Sequence, residues 1–134
     1  MKKIICLYGS ANKGKTPTLN ILIGLLEPTK VIAPEELHLD HREVVVYKGH
    51  RIAVTTAGDR DYDLTENIKF CKENECDILV TATRTRGGST KEVHKFSQEV
   101  SCKITWLRKN EAIELIDLVN ESQAKDIQAI IDKL

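Results

Sequence analysis

Gly9-Ser10-Ala11-Asn12-Lys13-Gly14-Lys15-Thr16 fits the spacing G-x-x-x-x-G-K-[ST] at every fixed position, and it follows the apolar run Ile4-Ile5-Cys6-Leu7-Tyr8. The spacing has a mechanical meaning. Glycines let the backbone curl until successive N–H groups point inward at an anion, Lys15 can reach the outer phosphates, and the Thr16 hydroxyl can ligate Mg²⁺. Downstream, Leu19, Leu22, Ile23 and Leu26 recur at helical intervals. The loop is therefore expected to open a helix whose N-terminus adds its own attraction for anions.

Outward from the loop, apolar and polar segments alternate. Pro28 to Arg42 reads as loop, and Glu43–Tyr47 and Arg51–Thr56 as β-branched strands turned back on each other through Lys48-Gly49-His50. Asp61 to Asn74 places Leu64, Ile68 and Cys71 at helical spacing; Asp77–Ala82 is a buried strand; Thr90–Val100 is a helix and Lys103–Leu107 a strand. Asn110 is the expected cap of a last helix over Glu111–Leu134, with Ile113, Ile116, Val119, Ile127, Ile130 and Ile131 as its core stripe. Strands alternating with helices imply a mainly parallel sheet covered on both faces, with one antiparallel hairpin at its edge.

A strand, this loop and a helix in succession resemble the P-loop NTPase superfamily, with an element order like that of its kinases and GTPases. The resemblance implies an α/β, three-layer fold on a five-stranded sheet, with residues 1–134 forming one nucleotide-binding domain. It implies that Gly9, Ser10, Ala11, Asn12, Lys13, Gly14, Lys15 and Thr16 hold the phosphates of a nucleoside triphosphate, and that Thr16 holds Mg²⁺. In such proteins the strand after the hairpin commonly lies beside the loop and ends in D-x-x-G, the Asp reaching Mg²⁺ through water. Here Gly58 aligns with that glycine and Thr55 with the Asp. Gly58 is accordingly expected to donate its N–H to the γ-phosphate and Asp59 to serve metal or attacking oxygen, the competing reading being an ordinary turn and helix cap.

Arg84 and Arg86 lie in Thr81-Ala82-Thr83-Arg84-Thr85-Arg86-Gly87-Gly88 at a strand's carboxyl end, the ligand-bearing edge of an open α/β sheet. Either could stabilise charge on a transferred phosphoryl group. The N-K-x-D sequence by which related GTPases read guanine is replaced by Ala82-Thr83-Arg84-Thr85, which leaves ATP as the default and GTP as the lesser choice. Pro17 has no N–H to give the α-phosphate.

Three functions stay open on these residues. One is slow ATP hydrolysis with Lys15, Asp59, Arg84 and Arg86 as the catalytic set. The others are a small-molecule or polynucleotide kinase with an acceptor pocket at 28–42, and a nucleotide-dependent switch acting on a protein partner or a second copy. Twenty basic and twenty acidic residues give no bulk attraction to nucleic acid or acidic membranes. No apolar run approaches a membrane span, and the four cysteines lack a CxxC pair, so free thiols and a cytoplasmic setting are expected. His38 and His41, with Asp40 between them, have a spacing that could face a metal, although a solvated loop is the preferred reading. Trp106 is open between a base-stacking and a packing role.

Overall fold

The computed structural model describes residues 1–11 and 13–134; Asn12, named above with the loop, lies outside them. In chain order the elements are β1 (Lys3–Tyr8), α1 (Lys15–Leu26), two single 3₁₀ turns at Pro28–Lys30 and Pro34–Glu36, β2 (Arg42–Tyr47), β3 (His50–Thr55), α2 (Asp61–Glu73), β4 (Ile78–Thr83), α3 (Gly88–Val100), β5 (Ile104–Arg108) and α4 (Ile116–Asp132). The five strands form one sheet in the order β2-β3-β4-β1-β5. Only β2 and β3 run antiparallel; β4 pairs in parallel with β1 and β3, and β5 with β1.

Strand alternation sorts the core into two layers. Ile5, Leu7, Ile52, Val54, Ile78 and Val80 face Leu19, Leu22, Ile23 and Leu26 of α1 and Ala124, Ile127 and Ile131 of α4. Ile4, Ala53 and Leu79 face Leu64, Ile68 and Cys71 of α2 and Val93 and Phe96 of α3. The β2–β3 hairpin closes through Lys48 and Gly49, both at positive φ (49° and 80°), a two-residue turn whose twist matches that of the strands.

Three expectations are corrected. The strand after the hairpin does not lie beside β1, because β4 is inserted between them. Thr83, not a β3 residue, is consequently the partner of Tyr8 at the end of the loop strand. The last helix begins at Ile116, five residues later than its apolar spacing suggests. Gln123 reaches back to accept from the Asn110 N–H (2.8 Å) and to donate to the Arg108 carbonyl (2.7 Å), while Leu115 takes a left-handed conformation (φ 55°) that no helix continues through. Ile113 and Ile116 are thereby exposed rather than in the core. Trp106 packs into the α2–α3 layer, its ring 6.0 Å from Tyr8 and 5.3 Å from His94, and does not line the cleft described below.

Among the described residues no helix is long and apolar enough to cross a membrane. All four cysteines are free. Burial pushes the thiols of Cys6 and Cys71 up to about 12, which makes both inert as nucleophiles at neutral pH.

Candidate functional site

At the carboxyl edge of the sheet the chain leaves β1 through Gly9 and enters α1 at Lys15. Gly14 makes the turn at φ 91°, and a Cβ there would stand 2.9 Å from Oδ1 of Asn120 on α4. The left-handed backbone is what calls for glycine at 14, while the contact with α4 is to the end of a side chain that can shift. No side chain caps the N-terminus of α1 among the described residues, the Thr18 N–H is the one that bonds to the Gly14 carbonyl (3.2 Å), and Pro17, third in the helix, sits where a first turn tolerates the loss of a donor.

Lys15 is 6% exposed. Its ammonium donates to the carbonyls of Gly9 (2.6 Å) and Thr83 (2.8 Å) and stands 3.6 Å from Asp59 Oδ1. Burial pulls its pKa below the ordinary lysine value, Asp59 opposes that shift and Arg84 adds to it. A second buried lysine, Lys109, follows β5. It packs its stem beside Gly9 and Gly14 and donates to the Asn110 carbonyl; its pKa is also lowered by burial, against the pull of Glu111. Nothing in the sequence pattern marks Lys109, because its burial comes from α4 closing over the end of β5.

Opposite the loop, the β3–α2 connection is held rigidly. Asn67 on α2 donates to the Ala57 carbonyl (2.7 Å) and to Thr81 Oγ1 (3.2 Å). Gly58 lies so close to β4 that a Cβ would fall 1.9 Å from the Ala82 carbonyl oxygen. Asp59 then projects between Lys15 and Arg84, whose Nε is 3.3 Å from Asp59 Oδ1. Arg86 is exposed and is not drawn into this cluster among the described residues.

Thr55, aligned above with a metal-binding acid, is buried and donates its hydroxyl to Val80 O (3.1 Å), so it serves the sheet. The acid that meets the Thr16 hydroxyl is Asp40, while Asp59 meets Lys15. Asp40 Oδ1 accepts from Thr16 Oγ1 (3.3 Å) and from Thr56 Oγ1 (3.0 Å). The turn carrying Asp40 is fastened to α1 by the fully buried Asn20, which donates to the carbonyls of Leu37 and Leu39 (both 2.8 Å) and meets His41 Nδ1 at 3.0 Å. His41 also donates its N–H to Thr56 Oγ1 (2.8 Å). His41 is therefore spent on fastening, and His38 lines the cleft without it.

Of these groups, Gly14, Lys15, Thr16, His38, Asp40, Thr56, Ala57, Gly58 and Asp59 border one cleft of about 1230 Å³, and Arg84, Lys109, Asn20 and Asn67 stand outside its lining. One end carries Lys15, Thr16, Asp40, Thr56, Gly58 and Asp59; the other is walled by Asn110–Glu114 and Ile116, with Lys13 3.9 Å from Glu111 between them. A hydroxyl and carboxylates are hard oxygen donors of the kind that suit Mg²⁺. Among the described residues no group of three or more His, Cys, Asp or Glu gathers, so a Mg²⁺ ion at Thr16 would draw most of its ligands from phosphate oxygens and water. Compared with protein-family models, with curated proteins and with solved structures, the chain gives no match.

Proposed function

We propose that the chain is a P-loop NTPase that binds a Mg²⁺-nucleoside triphosphate, with ATP as the nucleotide, and hydrolyses it slowly. The observation that carries this reading is the buried Lys15 ammonium, held inside a strand–loop–helix turn of fitting sequence at the floor of a nucleotide-sized cleft. The outer phosphates lie against Lys15 and the N–H groups that open α1, and the base points along the cleft towards Asn110–Ile116. Mg²⁺, when bound, neutralises phosphate charge beside the Thr16 hydroxyl.

Asp59 orients a water for in-line attack on the terminal phosphorus. The water oxygen bonds to that phosphorus as the bond to the bridging oxygen breaks; the nucleoside diphosphate departs, and the water's proton passes to a phosphate oxygen or to solvent as inorganic phosphate forms. Arg84, paired to Asp59, and Lys15 stabilise the charge that gathers on the transferred group. The half-exposed setting of Asp59 admits bulk water and fits a slow reaction.

A second reading, a nucleotide-dependent switch, is favoured by one contact. The segment before β2 is tied through Asp40 to Thr16, so a ligand at Thr16 competes directly for one of the contacts on that segment, whose other fastenings run through Asn20 and Thr56. Calorimetric titration with ATP, ADP, GTP and GDP in Mg²⁺, followed by phosphate release, tests both readings. Saturable ATP binding is expected, and absence of binding by all four nucleotides overturns the nucleotide assignment.

A further inference from the structure

We infer that the carboxylate serving the metal comes from Asp40, on the segment before β2, and not from the end of β3 or from Asp59. The inference rests on the nucleotide reading above and assigns a ligand within it. A hydroxyl has one hydrogen to donate and two lone pairs to offer. In this structure Thr16 Oγ1 donates to Asp40 Oδ1 (3.3 Å), so its one hydrogen is used and its lone pairs stay available to a cation in the cleft that both residues line. Asp40 Oδ1 is also the nearer of two acceptors for the single Thr56 hydroxyl hydrogen (3.0 Å, against 3.3 Å to the His41 carbonyl), leaving Oδ2 as the oxygen with capacity for the cation or for a water on it. Thr56, just past β3, thus supplies no charge of its own and instead steadies the carboxylate that chain order brings from another segment.

Asp59 is placed for a different task. It lies against the ammonium of Lys15 and the guanidinium of Arg84, two cations that already neutralise it and would repel a third beside it. Asp40 has no such neighbour within ion-pair distance among the described residues, so its charge is available to a divalent ion. Asn20 is the positioning residue: from inside α1 it fixes the carbonyls on either side of His38 and the ring of His41, and so sets Asp40 in register with Thr16, one helical turn earlier.

The test reads metal dependence of binding rather than turnover. Affinity for a fluorescent ATP analogue is measured in EDTA and in Mg²⁺ for the wild type, Asp40→Asn and Asp59→Asn, with Mn²⁺ electron paramagnetic resonance as a direct view of the bound ion. The wild type is expected to bind about tenfold or more tightly with metal, since a charged oxygen ligand and the neutralised phosphates act only then. Asp40→Asn is expected to keep the EDTA affinity, which also shows that it is folded, and to lose the metal enhancement and the bound-Mn²⁺ signal; Asp59→Asn, which removes the counter-charge of Lys15 and Arg84 and so shifts affinity with and without metal alike, is expected to keep the enhancement and the Mn²⁺ signal. An enhancement that survives in Asp40→Asn, or that is lost equally in both variants, overturns the assignment. Wild-type binding that is absent in EDTA and in Mg²⁺ alike overturns the nucleotide reading and this inference with it.

Discussion

The two ends of the cleft are built on opposite plans. At the end that holds Lys15, nearly every polar group is fixed by a second one: Asn20 fixes the Asp40 turn, Asn67 fixes Ala57, and Thr83 and Gly9 fix Lys15. At the other end Ile113 is 96% exposed, Leu115 stands in a strained left-handed conformation, and Leu118 reaches solvent from the first turn of α4. A preorganised polar end suits a ligand part whose charge never varies, since donors already in place need no rearrangement to meet it. A loose aliphatic end suits a flat, weakly polar part that gains affinity from contact area. On the proposed nucleotide reading, it is this asymmetry that sets which end of the ligand meets which end of the cleft.

The largest break in that comparison comes from Lys15→Ala. Removing a buried, hydrogen-bonded cation from the fixed end should weaken nucleotide triphosphate binding by about 2–5 kcal/mol, on the order of thirty- to several-thousandfold. Calorimetry checks it, with circular dichroism confirming the fold, and near-normal affinity would remove the loop from the binding site.

Next in size is Gly58→Ala, which asks whether the fixed end is rigid. A methyl group 1.9 Å from the Ala82 carbonyl forces β3 and β4 apart at their ends, with an expected stability loss of about 1–3 kcal/mol in urea unfolding. A midpoint equal to that of the wild type would mean the connection yields freely.

The smallest effect sharpens the other end. Ile113→Ser should leave stability within about 0.5 kcal/mol, because the side chain is already in water. Affinity for ATP should fall about fivefold, on the order of 1 kcal/mol of lost contact. Affinity for inorganic tripolyphosphate, which has no base, should not change, and an equal loss for both would place Ile113 outside the base-bearing end.

What the sequence discloses follows the range over which each signal acts. The strand before Gly9 and the helix from Lys15 are local, and their spacing is sufficient to read them. The hairpin was legible for the same reason, because Lys48-Gly49 states its own geometry. Asp40 was not legible as a partner of Thr16. It lies 24 residues away, and its approach depends on Asn20, whose helical position looks like any polar interruption of an apolar face. Alignment by Gly58 pointed to Thr55, but strand alternation turns that side chain into β4 and leaves its neighbour Thr56 for the cleft. The start of α4 was misplaced because Ile113 and Ile116 keep helical spacing while serving a surface. Periodicity reports where apolar groups fall and is silent on what they face.

The insertion of β4 beside β1 has a consequence for how the molecule breathes. β1 is hydrogen-bonded to β4 on one edge and β5 on the other, and its four central residues are fully buried. Its amides should be among the last to exchange with deuterated solvent, whereas β2, with a neighbour on one side only, should exchange early. The Gly9–Thr16 loop hangs from that slowest strand, and the Asp40 turn runs directly into the fast one. Protection gained on adding ligand should therefore appear at residues 37–47 and leave β1, already closed to solvent, unmoved.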